Sequence, residues 1–412
     1  MEGSLDVDLD DLYGRPGAER LRAYADVPYD AIAEYLPTWK LTAHVEPTAA
    51  SLEALPFLVA DLAVVRTRKD SETGVDGASI DPVAVSTTDS LQVEPESATL
   101  AEAASDHYVQ IGSDDSLEQA WVGRGTPIGA SKAFPAAYRN RLDRMAREEE
   151  IEIVVVCNDD SMLDERDGVE AAYGTREEFP VDVTFYEDLT AAQLSLVLES
   201  DVDFLHYIGH VDDDGFRCRD GMLDAASLST VGIDIFFLNA CRSYRQGRRL
   251  IERGAISGVV TVEEITNSGA IRIGKTLAEL LDYGFPLRSA LNVARDRSVV
   301  GSQYLVIGDG NADIAQAETG SALLADVSTG GDGDDYELDV TTFPTNQGGM
   351  GSQFRPAVPG VDEVFLCPGT LPTFEVSRAT LREYFETSVF PVRFDGEFTW
   401  TDRVDPSDTP RQ

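Results

Sequence analysis

Between residues 151 and 310 the chain alternates short apolar runs, rich in Val, Ile and Phe, with segments of helical periodicity. Near-continuous apolar runs of this length are typical of parallel strands that helices cover on both faces. The pattern predicts an α/β domain with a mostly parallel central sheet. The expected strands are 151–157, 181–186, 203–208, 235–238, 257–262 and 303–307.

Polar and turn-forming residues mark the ends of the helices between these strands. Thr190 and Gln193 have the spacing of a capping box, and Leu189 and Leu194 the spacing of a hydrophobic staple. A helical stripe that begins near 267 stops at Gly284, and a second helix follows directly after Pro286. Two consecutive helices at 267–298 therefore break the simple strand–helix alternation.

The segments on either side differ in composition, so we predict three parts: residues 1–148, 149–315 and 316–412. The first is expected to be mixed, with a helix near 17–36, strand-like runs at 41–45 and 57–65 and a polar loop at 68–106. At 134–149 a helical pattern carries a stripe of arginines that fits either a basic docking face or a solvated surface. The last part predicts a small β-rich domain with a frayed tail at 402–412.

The charge balance is strongly acidic, with 74 Asp and Glu against 33 Lys and Arg, of which only four are lysines. Because 42% of the residues are hydrophobic, a disordered acidic chain is a poor fit. A folded protein kept soluble in molar salt, where charges are screened within ~3 Å, fits better and suggests a halophilic source. A net charge of −41 argues against nucleic acid or anionic membranes as partners and favours a protein or peptide.

Cysteine content and the start of the chain indicate a cellular compartment. Four cysteines do not make a disulfide scaffold in 412 residues, so reduced thiols are expected. The first residues have neither a basic nor an apolar signal region, and no run of about 20 apolar residues occurs. These features predict a cytoplasmic protein without a membrane span.

A histidine and a cysteine follow two of the predicted strands. His210 comes directly after the strand at 203–208, and Cys241 comes shortly after the strand at 235–238. In a parallel sheet, catalytic groups gather at the carboxyl ends of the strands. An imidazole that accepts the thiol proton would produce a thiolate nucleophile, and the backbone N–H groups of Val211 and Cys241 could bind an oxyanion.

The residues around this pair resemble the CHAT family of caspase-like cysteine peptidases. The similarity lies in the sequences HYIGH at 206–210, LNACRS at 238–243, RGAISGVV at 253–260, GFPLRSALNVAR at 284–295 and YLVIGD at 304–309. It covers about 151–315 and does not extend to the flanking segments. This chain differs from the family pattern directly after the histidine, where the family usually has Gly and this chain has Val211.

The resemblance implies a caspase-like three-layer sandwich, flanked by the mixed N-terminal and β-rich C-terminal domains. It implies a cysteine endopeptidase in which Cys241 is the nucleophile and His210 the general base and acid, with no cofactor. His206 corresponds to a structural histidine, and Asn239 is expected to support the site. The alternative is a regulatory module that keeps the fold without turnover and binds a protein partner through its flanking domains.

Carboxylates and arginines near His210 and Cys241 give weaker evidence for a function. Asp159, Asp160 and Asp212 are candidates for a pocket that binds a basic P1 side chain, although an acidic chain has many surface carboxylates. Four arginines follow the cysteine and fit either an electropositive site or a solubilising helix surface. They are Arg242, Arg245, Arg248 and Arg249.

Three other motifs do not meet the requirements of a metal or nucleotide site. His206, His210, Cys218 and Cys241 have zinc-ligand chemistry, but their spacing matches no known zinc ribbon or finger. The calcium-loop pattern that starts at Asp309 has isoleucine where a glycine belongs and glycine where the bidentate glutamate belongs. The glycine-rich stretch at 123–129 lacks the phosphate-binding lysine pattern. We therefore predict no metal and no nucleotide.

Overall fold

The protein is described by a computed structural model. The structure describes residues 39–60, 64–67, 108–111, 116–144, 150–159, 181–264, 267–295, 299–330, 335–345 and 351–406, with a few single positions within 15–22 and 162–176. Most of the predicted helix at 17–36 and all of the predicted loop at 68–106 lie outside this set.

The strands are β1 (Trp39–Val45), β2 (Val64–Thr67), β3 (Tyr108–Gln110), β4 (Ser116–Val122), β5 (Thr126–Ile128), β6 (Ser131–Lys132), β7 (Ile151–Cys157), β8 (Val181–Glu187), β9 (Phe204–Ile208), β10 (Val211–Asp212), β11 (Gly215–Cys218), β12 (Gly221–Leu223), β13 (Ile235–Asn239), β14 (Ser257–Thr261), β15 (Tyr304–Gly308), β16 (Ala322–Thr329), β17 (Asp335–Phe343), β18 (Ser352–Phe354), β19 (Phe365–Cys367), β20 (Gly369–Thr370), β21 (Phe374–Ser377), β22 (Pro391–Phe394) and β23 (Glu397–Trp400). The α-helices are α1 (Ala49–Leu52), α2 (Leu55–Ala60), α3 (Pro135–Asp143), α4 (Ala191–Glu199), α5 (Tyr244–Arg253), α6 (Asn267–Asp282), α7 (Leu287–Arg295) and α8 (Arg378–Phe385).

A ten-stranded sheet dominates the fold, in the order β2-β1-β4-β6-β15-β14-β13-β9-β7-β8. Its neighbours run parallel except at β14 and β15, where the pairing is antiparallel. The two consecutive helices explain this reversal, because α6 and α7 together bring the chain back to the edge at which β14 ended. The mostly parallel α/β fold predicted from the apolar runs is confirmed.

Helices cover both faces of the sheet and make three layers. On one face α6 and α7 pack against alternate residues of the central strands, including Val155, Phe237 and Val259. On the other face α3, α4 and α5 pack against the intervening residues, such as Val156, Leu238 and Val260. Period-two alternation therefore sends apolar side chains into two separate cores, which is why the strands are apolar throughout.

The residues predicted to begin and end the helices do so in the structure. Thr190 and Gln193 form the reciprocal hydrogen bonds of a capping box at the start of α4, and Leu189 and Leu194 are buried in the same core. Gly284 ends α6 with a φ of 81°, and its N–H donates to the carbonyl of Leu281. A side chain at Gly284 would also collide with the backbone of Ala317, so both conformation and space require glycine here.

The N-terminal segment continues the central sheet. Strands β1, β2, β4 and β6 extend it beyond β15, so the boundary expected near residue 149 runs through a single continuous sheet. The strand-like run expected at 57–65 is wrong over its first half, where α2 ends at Ala60, and only its end lies in β2. Short apolar runs do not distinguish a buried helix from a strand by periodicity.

Two arginines of the predicted stripe, Arg141 and Arg144, form ion pairs within the fold, and the third, Arg147, lies outside the described residues. Arg141 forms an ion pair with the buried Asp309, and Arg144 pairs with Asp234 at 2.8 Å. Both arginines therefore attach α3 to the α/β core.

The C-terminal segment forms its own sheet, in the order β20-β17-β16-β22-β23 with β21 beside β17, and α8 packs on it. The tail expected to fray from residue 402 is instead packed as far as 406. Arg403 forms an ion pair with Glu279 of α6 at 3.0 Å, and the carbonyl of Pro406 accepts a hydrogen bond from Tyr336.

Candidate active site

Three adjacent strands bring Cys241, His210 and Asp159 to the same edge of the sheet. Strand β9 lies between β13 and β7, and Asn239, Ile208 and Cys157 are paired with one another across the three strands. Each of the three site residues lies two positions beyond its member of this registered row. Because parallel strands end at a common edge, His210 is placed between the thiol and the carboxylate.

The imidazole of His210 is held by a carboxylate. Its Nε2 lies 2.7 Å from Oδ2 of Asp159, a charge-assisted distance, and the side chains are 41% and 18% exposed. This contact engages Nε2 and leaves Nδ1 as the ring nitrogen for proton transfer. The structure thus gives Asp159 a histidine partner that the sequence pattern did not predict.

Cys241 lies in a tight turn between β13 and α5. Its side chain is half-buried and its thiol is free of any disulfide. The next residue, Arg242, has a φ of 52°, a left-handed conformation that costs a non-glycine residue about 1 kcal/mol or more. Such a turn lets the cysteine stand at the strand end, directly before the N-terminus of α5, where the helix dipole favours negative charge.

Two buried hydroxyls fix this turn to β14. The Ser243 hydroxyl donates to the carbonyl of Leu238 at 3.2 Å and accepts from the N–H of Thr261 at 2.9 Å. The Thr261 hydroxyl donates to the carbonyl of Ala240, directly before the cysteine. Neither residue was assigned a role from sequence, although Ser243 lies within the LNACRS motif.

Asn239 lies two residues before Cys241. It is buried at the end of β13, where its Oδ1 accepts from the hydroxyl of Tyr304 at 2.6 Å and its Nδ2 donates to the carbonyl of Ala270 at 3.2 Å. These bonds join the end of β13 to β15 and α6.

His206 lies in the core, away from the exposed edge. Its side chain is fully buried beside Phe237, and its Nδ1 lies 3.2 Å from the hydroxyl of Tyr173. Nε2 has no hydrogen-bond partner among the described residues. Burial lowers the pKa of His206 to about 3, so the ring is neutral at ordinary pH.

This buried imidazole predicts an acid-sensitive contribution to stability. The unfolded chain protonates His206 below about 6.5, but the folded protein does so only near pH 3. The stabilisation is complete above pH 6.5 and decreases as the pH falls toward 3, by about 1.4 kcal/mol per unit. His206→Asn, which keeps a polar atom near Nδ1, should lose this part of the slope. Denaturant unfolding at several pH values tests it, and parallel curves for both proteins would contradict the assignment.

The backbone at Val211 does not adopt a conformation that requires glycine. Val211 lies in β10 and is not among the described residues with positive φ. The N–H of Arg217 donates to the carbonyl of His210 at 2.9 Å, and Val211 pairs with Phe216 in the antiparallel ladder. Since hydrogen-bonded and non-hydrogen-bonded pairs alternate, the Val211 N–H points away from β11.

The strands β10, β11 and β12 form a small antiparallel sheet after His210. In its first turn Oδ1 of Asp212 accepts from the N–H of Asp214 at 2.8 Å. The buried Gln246 of α5 donates to the carbonyls of Asp212 and Asp213 and accepts from the N–H of Ala225. This small sheet is therefore attached to the helix that follows Cys241.

Asp160, another candidate for the P1 pocket, lies outside the described residues.

The four arginines after the cysteine are all paired with carboxylates. Arg242 pairs with Glu264 at 3.2 Å, Arg245 with Asp213 at 3.5 Å, Arg248 with Glu252 at 2.9 Å, and Arg249 with Asp224. Their charges are thus balanced locally, and the electropositive-site interpretation loses its support.

The proposed zinc ligands do not converge. Within the described part of the chain, no three His, Cys, Asp or Glu side chains are grouped so that they could hold a metal ion. In the rejected calcium loop, Asp309 instead binds Arg141, and Oδ1 of Asn311 accepts from Arg288 at 2.6 Å. Among the described helices, none is both long enough and apolar enough to cross a bilayer.

No protein-family model and no curated protein matches the chain. Among solved structures it is similar to the arginine-specific cysteine proteinase gingipain R, with 9% identity, a TM-score of 0.38 and coverage of 55% of this chain and 71% of that one. It is also similar to a structure described only as a protease, with 9% identity, a TM-score of 0.46 and coverage of 76% and 87%. A third is the Saccharomyces cerevisiae separase–securin complex, with 9% identity, a TM-score of 0.35 and 48% of this chain covered. This chain spans only 16% of that separase.

Proposed function

We propose that the protein is a cysteine endopeptidase in which Cys241 is the nucleophile and His210 the general base and acid. The observation that carries this proposal is the registered row across β13, β9 and β7, which aligns the thiol, the imidazole and the Asp159 carboxylate at one exposed edge. A nucleophile, a base and a group that orients the base are the parts that acyl transfer requires.

The reaction follows from these positions. His210 takes the proton of the Cys241 thiol through Nδ1 while Asp159 holds Nε2, and the thiolate attacks the peptide carbonyl. The N–H groups of Val211 and Cys241 stabilise the oxyanion, and His210 then protonates the leaving amine. Water, activated by the same imidazole, hydrolyses the thioester and regenerates the thiol.

The proposed substrate is a protein or peptide with Lys or Arg at P1. Asp212 and Asp214 follow His210 in β10 and the turn after it, and both are exposed. Asp159 is already engaged with the imidazole, so we assign it to the orientation of His210 and leave P1 recognition to the small sheet after His210. The acidic, lysine-poor composition supports a cytoplasmic, high-salt setting in which such an enzyme would work.

The test is hydrolysis of fluorogenic peptides with basic, acidic or apolar P1 residues, in molar KCl, with Cys241→Ala as the blank. We expect hydrolysis of the basic peptides above the blank. Hydrolysis of apolar or acidic peptides alone would overturn the P1 assignment. No hydrolysis of any peptide would support the regulatory-module alternative.

A further inference from the structure

The hydroxyl of Tyr207 contacts the backbone of the proposed base. Tyr207 lies in β9, three residues before His210, and its side chain is fully buried. Its Oη lies 3.3 Å from the carbonyl oxygen of His210 and 3.0 Å from that of Arg217. Burial raises the pKa of Tyr207, so this hydroxyl remains a donor. The hydroxyl proton of Tyr207 is thus shared between the carbonyl of His210, just after β9, and the carbonyl of Arg217 in β11.

The two carbonyls belong to a hydrogen-bonded path between neighbouring strand ends. The N–H of Arg217 donates to the carbonyl of His210 at 2.9 Å, and Nδ2 of Asn158 donates to the carbonyl of Arg217 at 3.2 Å. Asn158 directly precedes Asp159, and its Oδ1 accepts from the N–H of Leu189 at 2.8 Å. The path therefore connects the backbone beside the orienting carboxylate with the backbone of the base.

The chain passes closely over the tyrosine ring at Gly209. A Cβ there would lie 3.0 Å from Oη of Tyr207 and 3.2 Å from two of its ring carbons. Glycine thus lets the backbone turn around the hydroxyl between Ile208 and His210. The ring itself packs edge-on against Phe216, with 5.0 Å between centroids, so it is held without the hydroxyl.

We propose that Tyr207 is a positioning residue, whose hydroxyl fixes the His210 backbone and so the reach of its imidazole toward Cys241. This inference rests on the proposed function and adds a residue that acts through the base. Small displacements of a catalytic group can cost up to about 100-fold in rate, so loss of one backbone contact should be measurable.

Tyr207→Phe removes the hydroxyl alone. Both carbonyls keep another donor, since His210 still accepts from the Arg217 N–H and Arg217 still accepts from Asn158. No buried acceptor is orphaned, so the variant should fold with a melting temperature close to that of the matched control. The control is Tyr336→Phe, which removes a buried hydroxyl 3.0 Å from the carbonyl of Pro406 in the C-terminal sheet.

The experiment measures iodoacetamide alkylation of Cys241, together with kcat and KM for the best peptide, in wild type, Tyr207→Phe, Tyr336→Phe and His210→Ala. In Tyr207→Phe we expect alkylation and kcat to fall about tenfold with KM within twofold, while Tyr336→Phe matches wild type. Wild-type kcat and alkylation in Tyr207→Phe would overturn the inference. So would a fall in kcat that is matched by a melting temperature well below that of Tyr336→Phe, because it would assign the hydroxyl to folding. If His210→Ala also alkylates at the wild-type rate, the proposed function fails instead.

Discussion

Replacing Cys241 by alanine is expected to abolish peptide hydrolysis. The substitution removes the sulfur that would form the thioester. The other described cysteines, Cys157, Cys218 and Cys367, are buried and cannot replace it. Loss of the nucleophile in a covalent mechanism lowers kcat on the order of 10⁶-fold. Hydrolysis of the fluorogenic panel at molar salt measures the effect.

Cys218→Ala is the matched control for this prediction. Cys218 lies in β11, next to the site, and burial raises the pKa of its thiol to about 11, which keeps it protonated and unreactive. We expect this variant to hydrolyse peptides at the wild-type rate. Equal loss of activity in both variants would contradict a Cys241 nucleophile. It would indicate instead a site that requires the sulfur atoms of both Cys218 and Cys241.

Asp159→Asn is expected to lower kcat on the order of 10³-fold. The carboxylate accepts from Nε2 of His210 at 2.7 Å and so keeps the proton on that nitrogen and the basic lone pair on Nδ1. An amide of the same size can donate to Nε2 and thereby favour the wrong tautomer, which removes the base without removing the ring. Because the ring stays in place, KM should change little.

Asp234→Asn provides the comparison for this carboxylate. Asp234 precedes β13 at the opposite edge of the sheet, is 20% exposed and pairs with Arg144 at 2.8 Å. We expect this variant to keep its kcat. If Asp159→Asn and Asp234→Asn behave alike, Asp159 does not orient the base.

The residues that could be predicted from sequence are those whose signal is local. Each apolar run between 151 and 307 forms a strand, because its side chains enter two cores by simple alternation. The capping box at Thr190 and the helix end at Gly284 also depend on neighbours within a few residues. His210 and Cys241 could be placed at strand ends for the same reason.

Contacts between distant segments could not be predicted in this way. The contact of Asp159 with His210 depends on β7 lying beside β9. Hydrophobic periodicity predicts strands but not the order in which they pair. The same holds for β6, whose pairing with β15 joins the N-terminal segment to the central sheet. Asn158, Tyr207 and Gln246 lacked a sequence signal because their polar side chains bind backbone carbonyls. For Asn158 and Gln246 these carbonyls belong to residues 59 and 34 positions away in the chain.

If His210 accepts the proton of Cys241, the alkylation rate of Cys241 depends on the imidazole. Iodoacetamide labelling of the native protein in molar KCl, located by peptide mass spectrometry, compares wild type with His210→Ala and with His44→Ala. His44 lies in β1, where its Nε2 bonds Oε1 of Gln119 at 2.9 Å, remote from the site. We predict that Cys241 is labelled ahead of the buried cysteines and that its rate falls at least tenfold in His210→Ala only. An unchanged rate in His210→Ala would contradict the account.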